Sequence, residues 1–186
     1  SSVANMSRVF EWSVFNQPLD LWDTSSATTM SSMFMYNDDF NQDISSWDTS
    51  NVTNMANMFN SANNFDQNIS NWNVSKVTDM QNILSYSGLS SENYDALLIE
   101  WSSLNLKNNV ALGATNITYC NSESQRQYIV DNYSWAIADN GRACGLPVVE
   151  TGGATNITHN SAVLALNLVS SNSGEIQSLG LQFGED

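Results

Sequence analysis

The sequence predicts an α/β solenoid, a stack of strand–helix units that ends in an α/β cap and is followed by part of an antiparallel β-sandwich. The first observation is that large side chains recur every 25 residues: Trp22, Trp47 and Trp72; Met30, Met55 and Met80; Phe15, Phe40 and Phe65. The second is that whole strings recur, since residues 40–47 read FNQDISSW and residues 65–72 read FDQNISNW. Units of this size bury their apolar faces only against their neighbours, which favours a stack.

Each unit is predicted to contain one short helix and one short strand. Apolar side chains three and four residues apart mark one face of a helix over residues 52–62. The candidate capping residues before it are Asp48, Thr49, Ser50 and Asn51. Residues 43–48, centred on Ile44 and bounded by Asp side chains, predict the strand. We expect such units to fill residues 1–86. Their predicted core includes Met30, Met33, Phe34, Met55, Met58 and Phe59.

The repeat stops after Leu84, and residues 87–146 predict an α/β cap over the end of the stack. Ser90 or Ser91 is the expected N-cap of the first helix of this cap, and Ser122 begins the second with the spacing of a capping box. The predicted elements are, in order, a helix over 90–104, strands over 110–112 and 116–119, a helix over 122–132 and a strand over 135–138.

Pro147 marks a boundary beyond which residues 147–186 predict a β domain. Strands are expected over residues 148–151, 162–169 and 176–183, with a turn at Gly152 and Gly153 between the first two. Three strands form too little sheet for a complete sandwich, so we expect only part of such a domain.

Composition and charge limit the classes of partner. The 186 residues carry a net charge of −14 and only five Lys and Arg, which argues against binding to nucleic acid or to an anionic membrane surface. The absence of a long apolar run argues against direct membrane insertion. We interpret the acidity as solubility in a salty or extracellular setting, and the start at Ser1 within the pattern as the start of a mature or excised piece.

Residues 48–59 (DTSNVTNMANMF) and the later string FDQNISNW resemble the BspA-like leucine-rich-repeat family of bacterial surface proteins, over about residues 6–84. Residues 88–101 and 119–135 are similar to the tail that follows such repeats. The last 40 residues resemble the opening strands of a fibronectin type III-like domain. The resemblance implies a leucine-rich-repeat-like fold, extracellular display and a longer modular parent protein, and it supplies no catalytic residues.

These observations together predict a secreted or cell-surface adhesion or protein-interaction module of a bacterial protein, and no enzyme. Its partners are expected to be an extracellular protein or glycan and other domains of the same chain. The expected contact surface is the sheet face of the stack, which would carry Ser45, Asp48, Ser70 and Asn73. A carbohydrate-binding module and a structural spacer in a long adhesin or filament are the two alternatives.

The recurring tryptophans admit two interpretations. Trp22, Trp47 and Trp72 form either an exposed ladder for stacking on sugar rings or a layer of the core with each indole N–H on a turn carbonyl. We favour the core, because a large side chain repeated in register is usually buried. The carbohydrate alternative depends on the opposite outcome.

The remaining candidates for chemistry are few. Asp38, Asp39, Asp43 and Asp48 offer oxygen ligands for Ca²⁺, but no calcium-loop motif is present, so we expect turn caps and no metal or cofactor. Cys120 and Cys144 are either free thiols or a disulfide, and a non-cytosolic chain favours the disulfide, which would staple the cap. His159 stands in no catalytic pattern and is expected at the surface.

Overall fold

The computed structural model describes residues 3–144 with their side chains, and residues 149–158 and 161–168 by their backbone. The chain divides into two compact units, Ser1–Ala143 and Cys144–Asp186. The predicted repeat region and the predicted cap therefore lie in the same compact unit, and the second unit begins just before Pro147.

The repeat region departs from the predicted strand–helix pattern. Residues 43–48 and 52–62 contain no strand and no helix; they form turns and extended segments. The chain makes overlapping four-residue β-turns, in which Met58 N–H donates to the Met55 carbonyl and Asn60 N–H donates to the Asn57 carbonyl. Asn57 and Ser61 adopt left-handed backbone angles, both with φ of 57°, which stop these turns from continuing as an α-helix.

Neighbouring repeat units are joined by backbone hydrogen bonds that run both ways. Thr53 N–H donates to the Thr28 carbonyl of the preceding unit at 2.9 Å, and the turn residues after it donate to the following unit. The N–H groups of alternate residues donate to carbonyls of the following unit, as in Met55 to Asp79 at 2.8 Å and Phe59 to Ile83 at 2.9 Å. The intervening N–H groups, such as that of Met58, remain within the unit. Parallel bridges mark the same register: Asn5 with Thr29, Thr29 with Asn54, and Asn54 with Asp79.

The core of the repeat region is made of the recurring apolar side chains. Phe34 stacks on Phe59 with ring centroids 5.6 Å apart, and Phe59 stacks on Phe65 at 3.8 Å. The predicted core positions are confirmed, because the following side chains are fully buried: Met30, Met33, Phe34, Met55, Met58 and Phe59. The spacing that suggested a helical face therefore identifies the core correctly, although a different backbone presents it.

The cap contains the two helices of residues 3–144, α1 (Ser91–Ser102) and α2 (Glu123–Tyr133), with β1 (Ala111–Gly113) and β2 (Ala136–Ala138) paired in parallel. The prediction of Ser90 as N-cap is confirmed, since its side chain accepts the Asn93 N–H. Residues 116–119 form no strand and make only a bridge at Tyr119. The prediction of a capping box at Ser122 is wrong, because the Ser122 hydroxyl makes no cap bond and donates to Asp95.

The cap continues the hydrogen bonding of the repeats. Met80 forms a parallel bridge with Leu112, and Leu84 N–H donates to the Gly113 carbonyl at 2.9 Å. Glycine is required at position 113, because a Cβ atom there would lie 2.2 Å from the backbone nitrogen of Asn82.

The second unit holds an antiparallel pair, β3 (Val149–Thr158) and β4 (Ser161–Leu168), in which Val149 faces Leu168. The turn predicted at Gly152 and Gly153 lies inside β3, at a shift of register between Thr151 and Ala154. The strand predicted over residues 176–183 and the predicted surface residue His159 lie outside the described residues.

Candidate functional site

The recurring tryptophans are part of the core in two of the three units. Trp47 and Trp72 are 4% and 1% exposed, and their rings stack with centroids 6.3 Å apart. Each indole N–H donates to a carbonyl of the preceding unit, Trp47 to Leu19 and Trp72 to Ile44, both at 3.1 Å. Trp22, in the first unit, is 39% exposed. The core interpretation is therefore confirmed for Trp47 and Trp72, and sugar rings have no access to an indole ladder there.

The residues predicted to line the sheet face do not form a shared surface. Ser70 is buried, Ser45 is half-buried, and Asp48 and Asn73 are exposed. Residues 43–48 and 68–73 form no strand, so the side chains lack the alternation that would present them together. The prediction of Ser70 as a contact residue is wrong, because Ser70 is buried.

The polar side chains at these positions fix the turns. The carboxylates of Asp43 and Asp48 accept the backbone N–H groups of Ser45 and Ser50, each at 2.9 Å. Hydrogen bonds from Ser45 lower the pKa of Asp43, and hydrogen bonds from Ser50 lower the pKa of Asp48. Asn73 makes the same turn with Ser75 N–H. Among the described residues, no group of three His, Cys, Asp or Glu side chains is arranged to hold a metal ion.

A different surface gathers large exposed side chains. The overlapping turns of each unit carry left-handed residues at two positions four residues apart. We call the second of these positions the αL column; it contains Trp12, Tyr36, Ser61 and Tyr86, with φ between 55° and 60°. Trp12 is 71% exposed, Tyr36 37% and Tyr86 55%, and Ser61 is half-buried. Bulky side chains rarely adopt this backbone conformation, and here they gain little burial from it.

Backbone hydrogen bonds fix the register of the αL column. Trp12 N–H donates to Met35, Tyr36 N–H to Asn60 and Ser61 N–H to Ser85, in each case to a carbonyl of the next unit at 2.9 Å. The indole of Trp12 lies over the phenol of Tyr36, with ring centroids 3.9 Å apart and planes 21° apart. Ser61 carries no ring, so the stack is interrupted between Tyr36 and Tyr86.

Neutral polar groups accompany the αL column in the same turns. The Ser7 hydroxyl lies 3.1 Å from that of Thr29, and the Ser31 hydroxyl donates to Ser7 at 2.9 Å. One unit further on, Ser61 donates to the Asn60 amide oxygen at 3.0 Å. We call the exposed side of residues 5–12, 29–36, 54–61 and 79–86 the turn face.

The charged groups on the turn face are few. Arg8 and Glu11 pair with each other at 3.8 Å, although Arg8 is largely exposed and the pair is weak. Asp79 accepts a long hydrogen bond from Asn54, at 3.5 Å. Around the αL column the surface is therefore mostly made of hydroxyl, amide and aromatic groups.

An apolar groove lies at the first repeat unit. It has a volume of about 480 Å³ and is lined by Val3, Met6, Val9, Leu21, Trp22 and Asp23. Leu21 is 91% exposed. The Trp22 ring stacks on Trp47 with centroids 6.5 Å apart and lies against Phe10 at 5.7 Å. The groove is therefore lined in part by side chains such as Trp22, whose counterparts in later units, such as Trp47, are buried.

The buried polar groups of the cap are engaged in structure. The Asp95 carboxylate accepts backbone N–H groups from residues 120–122 and the Ser122 hydroxyl, at 2.6–3.1 Å. Asp139, whose side chain is 1% exposed, pairs with Arg126 at 2.7 Å and accepts the Tyr94 hydroxyl at 3.0 Å. Burial, together with the charge of Asp139, raises the pKa of Tyr94 well above 10.0. These contacts position the loop after β1 and the end of β2.

Cys120 and Cys144 are both disulfide-bonded and are the chain's two cysteines, so the disulfide prediction is confirmed. Arg142 contributes to the same region, since its Nε donates to the Cys120 carbonyl at 3.1 Å.

Sequence reasoning missed the αL column. Its first two members are 24 residues apart, the others 25, and the third is a serine, so no aromatic residue recurs at the period of the repeat. The left-handed backbone at Trp12, Tyr36 and Tyr86 has no signature in residue types that usually avoid it.

The comparisons with known proteins identify the family without a function. No curated protein and no solved structure matches the chain. Neither helix in the described part of the chain has the length and apolar content that a membrane crossing requires. A family model described as "Mycoplasma protein of unknown function, DUF285" matches residues 1–97 of the 186, and the chain therefore belongs to this family.

Proposed function

We propose that the chain is a non-catalytic interaction module displayed outside the cell, in which the repeat units form a solenoid scaffold and the turn face makes the contact. The observation that carries this proposal is the αL column. Trp12 and Tyr86 remain more than half exposed on a scaffold that buries large recurring rings such as Phe59 and Trp72. Exposed Trp and Tyr side chains on a rigid framework are typical of binding surfaces.

The disulfide supports a location outside the cytosol. Thiols in the cytosol are usually kept reduced, whereas disulfides persist in secreted and surface proteins. The net charge of −14 and the uncharged character of most exposed turns are compatible with that setting.

The engagement of the buried polar groups supports a non-catalytic role. In residues 3–144 the buried titratable side chains of Asp95, Asp139 and Tyr94 hydrogen bond to protein groups that hold the cap together. None of them faces the turn face of the repeat units. General acid–base catalysis needs a titratable group within reach of a substrate, which these positions do not offer.

Two experiments test the proposal. An antibody raised against the repeat region should label intact cells of the producing organism as strongly as permeabilised cells. Labelling only after permeabilisation would contradict display.

Beads coated with the chain should also be retained, under flow, on lawns of the producing cells or on their extracellular matrix, whereas albumin-coated beads should wash off. Equal washing-off of both kinds of bead would favour a structural spacer over an interaction module.

A further inference from the structure

We propose that the αL column is a binding site for a neutral carbohydrate, with a sugar ring held between Tyr36 and Tyr86 above Ser61. This inference rests on the interaction module proposed above and names the class of its ligand. It differs from the tryptophan-ladder hypothesis, because the rings concerned are other residues on another side of the repeat unit.

The spacing of the units supports a slot of the right size. Tyr36 and Tyr86 occupy equivalent positions two units apart, with Ser61 between them. Hydrogen-bonded neighbouring chains lie about 4.8 Å apart, so the two phenol side chains are separated by roughly 10 Å. A ring in van der Waals contact on both sides, at about 4 Å each, requires roughly 8 Å. The missing ring at Ser61 therefore leaves room for one ligand ring.

The groups around the slot suit hydroxyl-bearing rings. The faces of the phenol rings offer apolar contact to the C–H groups of a pyranose. The Ser61 hydroxyl and the Asn60 amide, which are 3.0 Å apart and partly exposed, lie at the base of the slot. Asn60 can donate through its amide nitrogen while its oxygen accepts from Ser61, which matches the mixed donors and acceptors of a sugar.

The charge distribution favours a neutral ligand over an anionic one. No Lys or Arg belongs to the αL column or directly follows it in sequence, and the chain as a whole carries a charge of −14. A sulfated or uronic polymer would meet repulsion from the chain, and the cation on the turn face, Arg8, is already paired with Glu11. Trp12, whose ring is 71% exposed beyond Tyr36, adds a second stacking surface for a longer glycan.

The left-handed backbone allows variants that remove the rings without straining the fold. Asparagine tolerates this conformation better than tyrosine or tryptophan, so Tyr36→Asn and Tyr86→Asn should keep the fold, and the ring contact that is lost is the stack of Tyr36 on Trp12. Ser61→Tyr fills the slot with the side chain that the same column already carries on either side. The matched control is Tyr128→Ala, which removes an exposed phenol from α2 (47% exposed).

The test is binding of the full chain to a printed panel of neutral oligosaccharides (cello-, xylo-, manno- and chito-oligomers) beside alginate and sulfated oligomers, followed by calorimetry with each oligomer bound. We expect at least one neutral oligomer to bind. Its Kd should rise by at least roughly tenfold in Tyr36→Asn, Tyr86→Asn and Ser61→Tyr, and by less than about twofold in Tyr128→Ala.

Four results would overturn the assignment: no neutral oligomer bound, binding to acidic oligomers only, neutral binding unchanged by the three variants, or a protein as the ligand that the αL column variants release. Retention of chain-coated beads on cells in any of these cases would leave the interaction module standing while refuting its carbohydrate ligand. Loss of both carbohydrate binding and bead retention would refute the proposed function as well.

Discussion

The indole N–H of Trp72 donates to the backbone carbonyl of Ile44, one unit earlier, at 3.1 Å. The same bond joins Trp47 to Leu19, so each buried tryptophan both fills its own unit and satisfies a carbonyl of the previous one. This double role predicts that the tryptophans hold adjacent units together.

Trp72→Ala should lower the free energy of unfolding by about 3–5 kcal/mol, because it opens a cavity and removes one of the two hydrogen bonds that the Ile44 carbonyl accepts. Urea denaturation monitored by circular dichroism measures the change. Trp12→Ala is the control: this ring is 71% exposed, and its removal should cost about 1 kcal/mol or less, from the lost stack on Tyr36. Equal costs for the two variants would contradict the assignment of Trp72 to the core.

Asp95→Asn should lower the free energy of unfolding by about 3 kcal/mol, since an amide nitrogen would then face the N–H donors of residues 120–122. The exposed residue Glu100, on the same helix, offers the matched variant Glu100→Gln. Thermal melting of both variants checks the difference. A loss no larger than that of Glu100→Gln would show that the Asp95 contacts contribute little.

Asp66 predicts an acid-sensitive contribution to stability. Partial burial acts to raise its pKa, but hydrogen bonds from Ser90 and Asn93 outweigh burial and lower the pKa below 3.8. A carboxyl with a lowered folded-state pKa stabilises the fold above its unfolded pKa, and this contribution is lost as the pH falls through the folded value. The difference in stability between the wild type and Asp66→Asn should therefore shrink from pH 7 to pH 2. Urea titrations across this range measure it, and a constant difference would contradict the linkage.

Tyr94 predicts the opposite behaviour in alkali. Its raised pKa means that the folded state favours the neutral phenol, so this group contributes stability below pH 10 that is lost as the pH rises further. Absorbance at alkaline pH should show Tyr94 ionising late, well above pH 10. Tyr94→Phe should remove the late ionisation and cost about 1 kcal/mol at pH 7, because Asp139 loses one donor. Ionisation of all tyrosines in one early step would contradict the burial of Tyr94.

The core and the cap helices could be predicted from the sequence, but the backbone of the repeat could not. A helix and a run of overlapping β-turns both bring apolar side chains three and four residues apart to the same side. The spacing therefore predicts the burial of Met55, Met58 and Phe59 correctly but predicts the wrong backbone conformation. Asn57 is a residue that tolerates a left-handed angle, but Ser61 and Tyr86 give no such signal.

The contact surface was harder to predict for a related reason. The predicted contact surface depends on a strand face, and no strand forms at its four residues, Ser45, Asp48, Ser70 and Asn73. Local hydrogen bonds between each Asp or Asn and the N–H two residues later compete with sheet pairing and win in these turns. The exposed rings at Trp12 and Tyr86 depend on a backbone conformation that the sequence does not encode by residue type.

The regular hydrogen bonds between units have a consequence for how such a chain changes in length. Met55 donates to Asp79 as Met30 donates to Asn54, so each unit presents to the next the same row of partners that it received. Removal or duplication of a whole period leaves every remaining donor opposite an equivalent acceptor, whereas a deletion of one or two residues misaligns the rows beyond it. Unit number is therefore free to vary while the fold is kept. Each added unit also brings one more position in the αL column, where a ring or a small residue decides whether a new slot opens.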